Sequence, residues 1–67
     1  MDDEQKLAII AASRGTLENE QYAAKLDLEL AERGDDPALE DEPRKRLKEV
    51  NSKLELLDER EAEVDGS

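Results

Sequence analysis

Residues 47–64 read Leu47-Lys48-Glu49-Val50-Asn51-Ser52-Lys53-Leu54-Glu55-Leu56-Leu57-Asp58-Glu59-Arg60-Glu61-Ala62-Glu63-Val64. Leu47, Val50, Leu54, Leu57, Glu61 and Val64 recur at steps of three and four. That spacing lines side chains along one stripe of an α-helix. Glu61 is the one polar member, and Leu56 lies beside the stripe and widens it. Glu49 precedes Lys53 by four residues, the favourable order for an ion pair on the outer face. The stretch therefore predicts a helix with a heptad seam of two and a half repeats. Such a seam packs either inside its own chain or against a second one.

Upstream of the seam stand two prolines. Asp36-Pro37 pairs a capping residue with proline at a first helical position. Pro43 then admits two readings. A helix starting at Pro37 is kinked at Pro43, whose ring clashes with the carbonyl of Leu39, or residues 37–41 form one turn and the main helix starts at Pro43. The second is preferred, because proline suits an opening turn and not a helix interior. Residues 35–42 hold five acids and no base, and Arg44, Lys45, Arg46 and Lys48 follow at once. Such charge blocks read as solvated surface.

Nearer the N-terminus, Ser13-Arg14-Gly15 and Glu32-Arg33-Gly34 each set a cation before a glycine. A cation suits the negative end of a helix dipole, and glycine readily takes the left-handed conformation that ends a helix. Thr16 is then placed to cap a new helix. On a helix from 17 to 33, Leu17, Ala24, Leu28 and Ala31 fall on one side, and Tyr22, Ala23, Leu26 and Leu30 on the other. Lys25, Glu29 and Arg33 form a charged ladder between them. A helix apolar on two faces has to be covered twice. The expected arrangement puts the seam helix on one face and the first helix, or another chain, on the other.

The whole chain of 67 residues holds 20 acidic and 10 basic side chains, no His and no Cys, and a net charge of −10. Charged residues are 45% of it, a share found in disordered chains, but the ordered leucine spacing and the paired start and stop signals favour a folded helical domain. A core of ten Leu, two Ile and two Val is small, and no disulfide can reinforce it. The fold expected is all-α: a small three-helix domain spanning 1–67, made of a short N-terminal helix and an antiparallel helical hairpin. Its helices cover about 3–14, 17–33 and 43–64, with an acidic joint at 34–42 and a frayed tail at 65–67. Association through a coiled-coil-like seam, giving a homodimer, supplies the burial that one short chain lacks.

Thiol and imidazole catalysis are excluded by composition. Asp35, Asp36, Glu40, Asp41 and Glu42 lack the alternate spacing and central glycine of an EF-hand loop. No catalytic, cofactor-binding or metal-ligating residue is therefore assigned, and no enzyme is expected. The longest apolar run, Leu7 to Ala12, is far shorter than the roughly 20 residues of a membrane span. Asp2, Asp3 and Glu4 stand where a signal peptide carries positive charge, so a cytoplasmic protein is expected.

Ile10, Ala11, Gly15 and Ala24 loosely resemble the spacing of a helix-turn-helix hairpin. However, Arg14 and Gln21 occupy positions where that pattern wants apolar side chains, and Leu17-Glu18-Asn19-Glu20 would bring carboxylates to phosphate. Direct nucleic-acid binding is not expected, and neither is binding to an anionic membrane. The function expected is a small adaptor, regulator or assembly cofactor that binds another protein through an apolar helix face. Its candidate interface residues are Tyr22, Leu26, Leu30, Leu47, Val50, Leu54, Leu57 and Val64. An alternative is an acidic DNA mimic that occupies a nucleic-acid-binding protein, using Glu55, Asp58, Glu59, Glu61, Glu63 and Asp65. A structural component of a larger assembly is a further alternative. In size and charge the chain is similar to small proteins of phages and mobile elements.

Overall fold

Asp2 opens the fold as a helix cap. Its backbone is extended and its Oδ1 accepts from the Gln5 N–H at 2.8 Å, which satisfies one of the free donors of the first turn. Asp3 and Glu4 follow in that turn, where the helix dipole favours negative charge. From there a single helix, α1, runs Asp3–Arg33. The structure, a computed structural model, describes residues 2–65. After α1 come one 3₁₀ turn, Pro37–Leu39, and a second long helix, α2, Asp41–Asp65. The described residues are all-α, and no helix among them is long and apolar enough to cross a membrane.

The helix break expected at Gly15 is absent, so the chain makes two long helices where three were anticipated. The Thr16 hydroxyl donates to the Ala12 carbonyl, one turn back within the same helix, at 3.3 Å, and caps nothing. The turn of the helix-turn-helix resemblance disappears with the break. Gly15 sits in open solvent: a Cβ built on it meets nothing within 4 Å. Glycine inside a helix is less favourable than alanine by about 0.5–1 kcal/mol. Gly15→Ala is accordingly expected to stabilise the hairpin by that amount in a thermal melt of dilute protein. A lowered midpoint would mean that the backbone does break there.

The stop after Arg33 is real, but glycine does not take the left-handed position. Gly34 is right-handed (φ −79°), and Asp35 carries the positive φ of 55°. The Asp35 N–H reaches the Glu32 carbonyl at 3.2 Å and the Asp36 N–H reaches that of Ala31 at 3.4 Å, the paired bonds of a Schellman closure. Aspartate tolerates this conformation better than most side chains, yet still at a cost of about 1 kcal/mol. Asp35→Gly should therefore stabilise the fold by about 1 kcal/mol. An unchanged or lower melting midpoint would contradict the strained turn.

Asp36 caps the 3₁₀ turn as anticipated, its Oδ1 accepting from the Ala38 N–H at 3.1 Å, with Pro37 in the first position. α2 begins at Asp41, two residues before the expected Pro43, so the joint spans residues 34–40. The Arg44 N–H bonds to the Glu40 carbonyl at 3.2 Å. Pro43 thus falls in the opening turn, where an N–H would have no partner in the helix and its ring meets no helical carbonyl. Asp65 closes α2 in helical conformation; the rest of the tail expected to fray lies outside the described residues.

The two helices pack along their length in an elongated body of 49 × 15 × 13 Å. They run antiparallel: Arg14 meets Asp58 and Glu61, Gln21 meets Asn51, and Asp27 meets Arg46. On α2 the least exposed positions are Pro43, Leu47, Val50, Leu54, Leu57, Glu61 and Val64, the predicted seam extended by one step. On α1 they include Leu7, Ile10, Arg14, Leu17, Gln21, Ala24, Leu28 and Ala31, again at steps of three and four and passing straight through the Gly15 region. Ile10, Ala24, Ala31 and Val50 are the buried hydrophobic core, with Ala24 at 0% exposure and Val50 at 2%. Four such side chains are a small core, and most of the seam leucines keep part of their surface in water.

Candidate interaction surface

The five seam residues of α2 named as candidate contacts, Leu47, Val50, Leu54, Leu57 and Val64, are buried or half-buried on the side of α2 that faces α1. Their apolar surface is spent within the hairpin. The remaining three, Tyr22, Leu26 and Leu30, lie on the solvent side of α1, and Tyr22 and Leu30 are each 67% exposed. Ile9, absent from the expected set, is also exposed there.

Ile9, Leu26 and Leu30 belong to a regular pattern, and Tyr22 lies beside it. Ile9, Ala12, Thr16, Asn19, Ala23, Leu26 and Leu30 recur at steps of four and three, and every one is exposed. At about 100° per residue the stripe lies roughly 180° from the seam of α1. α1 therefore carries two seams, one filled by α2 and one open. From Ile9 to Leu30 the open stripe runs about 32 Å at 1.5 Å per residue. Among the described residues no other segment covers it: residues 3–14, expected to fold back over this face, are instead the first turns of the same helix.

Charge is distributed unevenly along the stripe. The chain has 20 acids, yet none falls between Gln5 and Leu17. Of the two cations in that stretch, Lys6 lies near its start and Arg14 points inward. Its Nη1 donates to Glu61 Oε2 at 2.6 Å and its Nη2 to Asp58 Oδ1 at 2.8 Å. The side chain keeps 28% of its surface exposed, and its hydrogen bond to Glu61, with the charges of both acids, holds the guanidinium above its ordinary pKa. Gln21 is served likewise, its Nε2 donating to Asn51 Oδ1 at 2.8 Å. Both polar side chains of the seam thus have partners on α2, which leaves the outer side of α1 uncharged from Leu7 to Leu17.

The candidate acidic surface has a different character. Asp58 and Glu61 are held by Arg14, and Glu63 lies 3.5 Å from Arg60. Glu55 and Glu59 face water and take part in no ion pair among the described residues; Asp65 is also exposed. In the joint, Glu40 pairs with Arg44 at 3.0 Å, and Arg46 reaches across to Asp27 at 3.2 Å. No group of three acidic side chains among the described residues is placed to hold a metal ion.

No protein-family model, curated protein or solved structure matches the chain. Any functional reading rests on the surface itself. What that surface can do is bury apolar area against a partner: it has length, helical periodicity, and an N-terminal half, Gln5 to Leu17, with no acid.

Proposed function

We propose that the chain is a small non-enzymatic protein-interaction module, acting inside the cell, whose contact surface is the outer face of α1. The observation that carries this reading is the open stripe from Ile9 to Leu30, apolar or uncharged throughout on a chain of net charge −10. Soluble proteins rarely leave such a pattern uncovered, and a groove or helix of another protein covers an i, i+3, i+4 stripe through its anchor side chains. Association is assigned to this face and not to the seam of α2, because that seam already holds the hairpin together.

The DNA-mimic reading has less support. Three of its six carboxylates, Asp58, Glu61 and Glu63, have cationic neighbours within the chain. A basic partner would compete with Arg14 and Arg60 for them. A photo-reactive residue introduced in living cells separates the two readings. Placed at Leu26, it should cross-link the chain to protein; placed at Glu55, it should not. Cross-links to nucleic-acid-binding proteins from position 55 alone would reverse the assignment.

A further inference from the structure

We infer that the occupant of the open stripe is a second copy of this chain, its α1 packed antiparallel against the first about a two-fold axis near Asn19. This rests on the interaction-module reading and specifies its partner.

Area supports it first. A compact monomer of 7.5 kDa exposes about 4,200 Å², whereas this hairpin exposes 5187 Å², and the surplus of about 1,000 Å² is close to what one side of a standard interface buries. Size complementarity supports it next. The N-terminal half of the stripe is small apart from Ile9, with Ala12 and Thr16 and the neighbouring Gly15. The C-terminal half carries Leu26 and Leu30, with Tyr22 beside it. A two-fold axis between the halves lays the bulky half of each chain on the small half of the other, as a self-complementary patch requires. A parallel pairing would instead set bulk against bulk at one end and leave a gap at the other.

Charge agrees with the same orientation. Glu29 flanks the bulky half, and the stretch that would face it, Gln5 to Leu17, carries Lys6 and no acid. In parallel register Glu29 would face its own copy, whereas Asp27 is already paired with Arg46 of its own chain. The assembly is then a row of four helices, with each α2 on the outside and the acid-rich surfaces directed to water.

The chain has no cysteine, so introduced cysteines report contacts unambiguously. Sedimentation equilibrium at about 100 μM should give the mass of two chains, and Leu26→Glu with Leu30→Glu should give one chain with unchanged helical circular dichroism. Leu56→Glu, at an exposed apolar position on α2, should leave the dimer intact. On oxidation, a mixture of Ile9→Cys and Leu30→Cys chains, the two positions that a two-fold axis near Asn19 sets opposite each other, should form mainly the mixed disulfide. A folded wild-type monomer at that concentration overturns the inference. So does a dimer indifferent to the Leu26 and Leu30 changes, or a preference for Ile9–Ile9 links. The module reading fails separately: a solution monomer that still cross-links to another protein from position 26 removes only the second copy, and a monomer that cross-links to nothing removes both.

Discussion

Aspartate in place of Ala24 is expected to unfold the hairpin at room temperature. Ala24 has no exposed surface, and it sits on the seam of α1 where the two helices lie closest to the middle of their contact. A carboxylate there loses its hydration with no basic side chain of the seam nearer than Arg14, almost three turns away. The penalty for burying an unpaired charge is several kcal/mol, comparable with the whole net stability of about 3–5 kcal/mol expected for a domain of this size. Val50→Ala should act in the same direction more gently. It removes two methyl groups from a site with 2% exposure, a loss of about 2 kcal/mol. Ala23→Asp, one residue along and on the exposed side, should leave the helices formed. Circular dichroism at the helical minimum reads all three. An Ala24→Asp chain that melts like the wild type would mean that α1 and α2 do not pack through this seam.

Charge reversal at Arg14 ranks second. Arg14→Glu would bring a third carboxylate to Asp58 and Glu61 at the open end of the hairpin, replacing two short hydrogen bonds by repulsion. The expected result is a clear fall in melting midpoint and faster amide exchange in α2 beyond Leu57. Glu61→Arg on the same background should recover much of the loss, because it restores one opposite-charge contact across the seam. A double-mutant cycle on positions 14 and 61 measures that coupling. Absence of coupling would show that the pair contributes nothing to register. Replacing both by leucine is a different experiment: a well-packed apolar layer commonly equals or exceeds an ion pair in stability, so a rise in midpoint is expected.

The parts of the fold legible in the sequence are those set by local chemistry. The seam from Leu47 to Val64 follows from spacing alone, and the cap at Asp36 with Pro37 behind it follows from side-chain type. The two-sided character of residues 17–33 was equally plain. Gly15 misled because its neighbours, Arg14 and Thr16, reproduce a stop and a start. Their local preference is worth about 1 kcal/mol, and the seam contacts on both sides of Gly15 outweigh it. The seam of α1 was hidden for a related reason. Two of its members, Arg14 and Gln21, are polar, and the side chains that satisfy them, Asp58, Glu61 and Asn51, lie 30 to 47 residues away. Glu61 had been visible as the one polar position in the seam of α2, and its complement on the opposite helix was the missing signal. Following the three–four spacing from Leu7 across Gly15 would have exposed both seams of α1, and with them Ile9 as a member of the outer stripe. The left-handed residue at the end of α1 was beyond such reading: Gly34 and Asp35 are adjacent, and which of them takes the positive φ is decided by where the last helical turn closes.

Self-association through the outer face of α1 is the central claim, and a dilution series followed by amide nuclear magnetic resonance tests it most directly. Between about 500 and 5 μM, shifts and line widths are expected to change at Ile9, Ala12, Thr16, Asn19, Ala23, Leu26 and Leu30, while Glu55, Glu59 and Glu63 stay constant. Concentration-dependent changes confined to the acidic positions of α2, or spectra identical at every concentration with the line widths of a single chain, would contradict it.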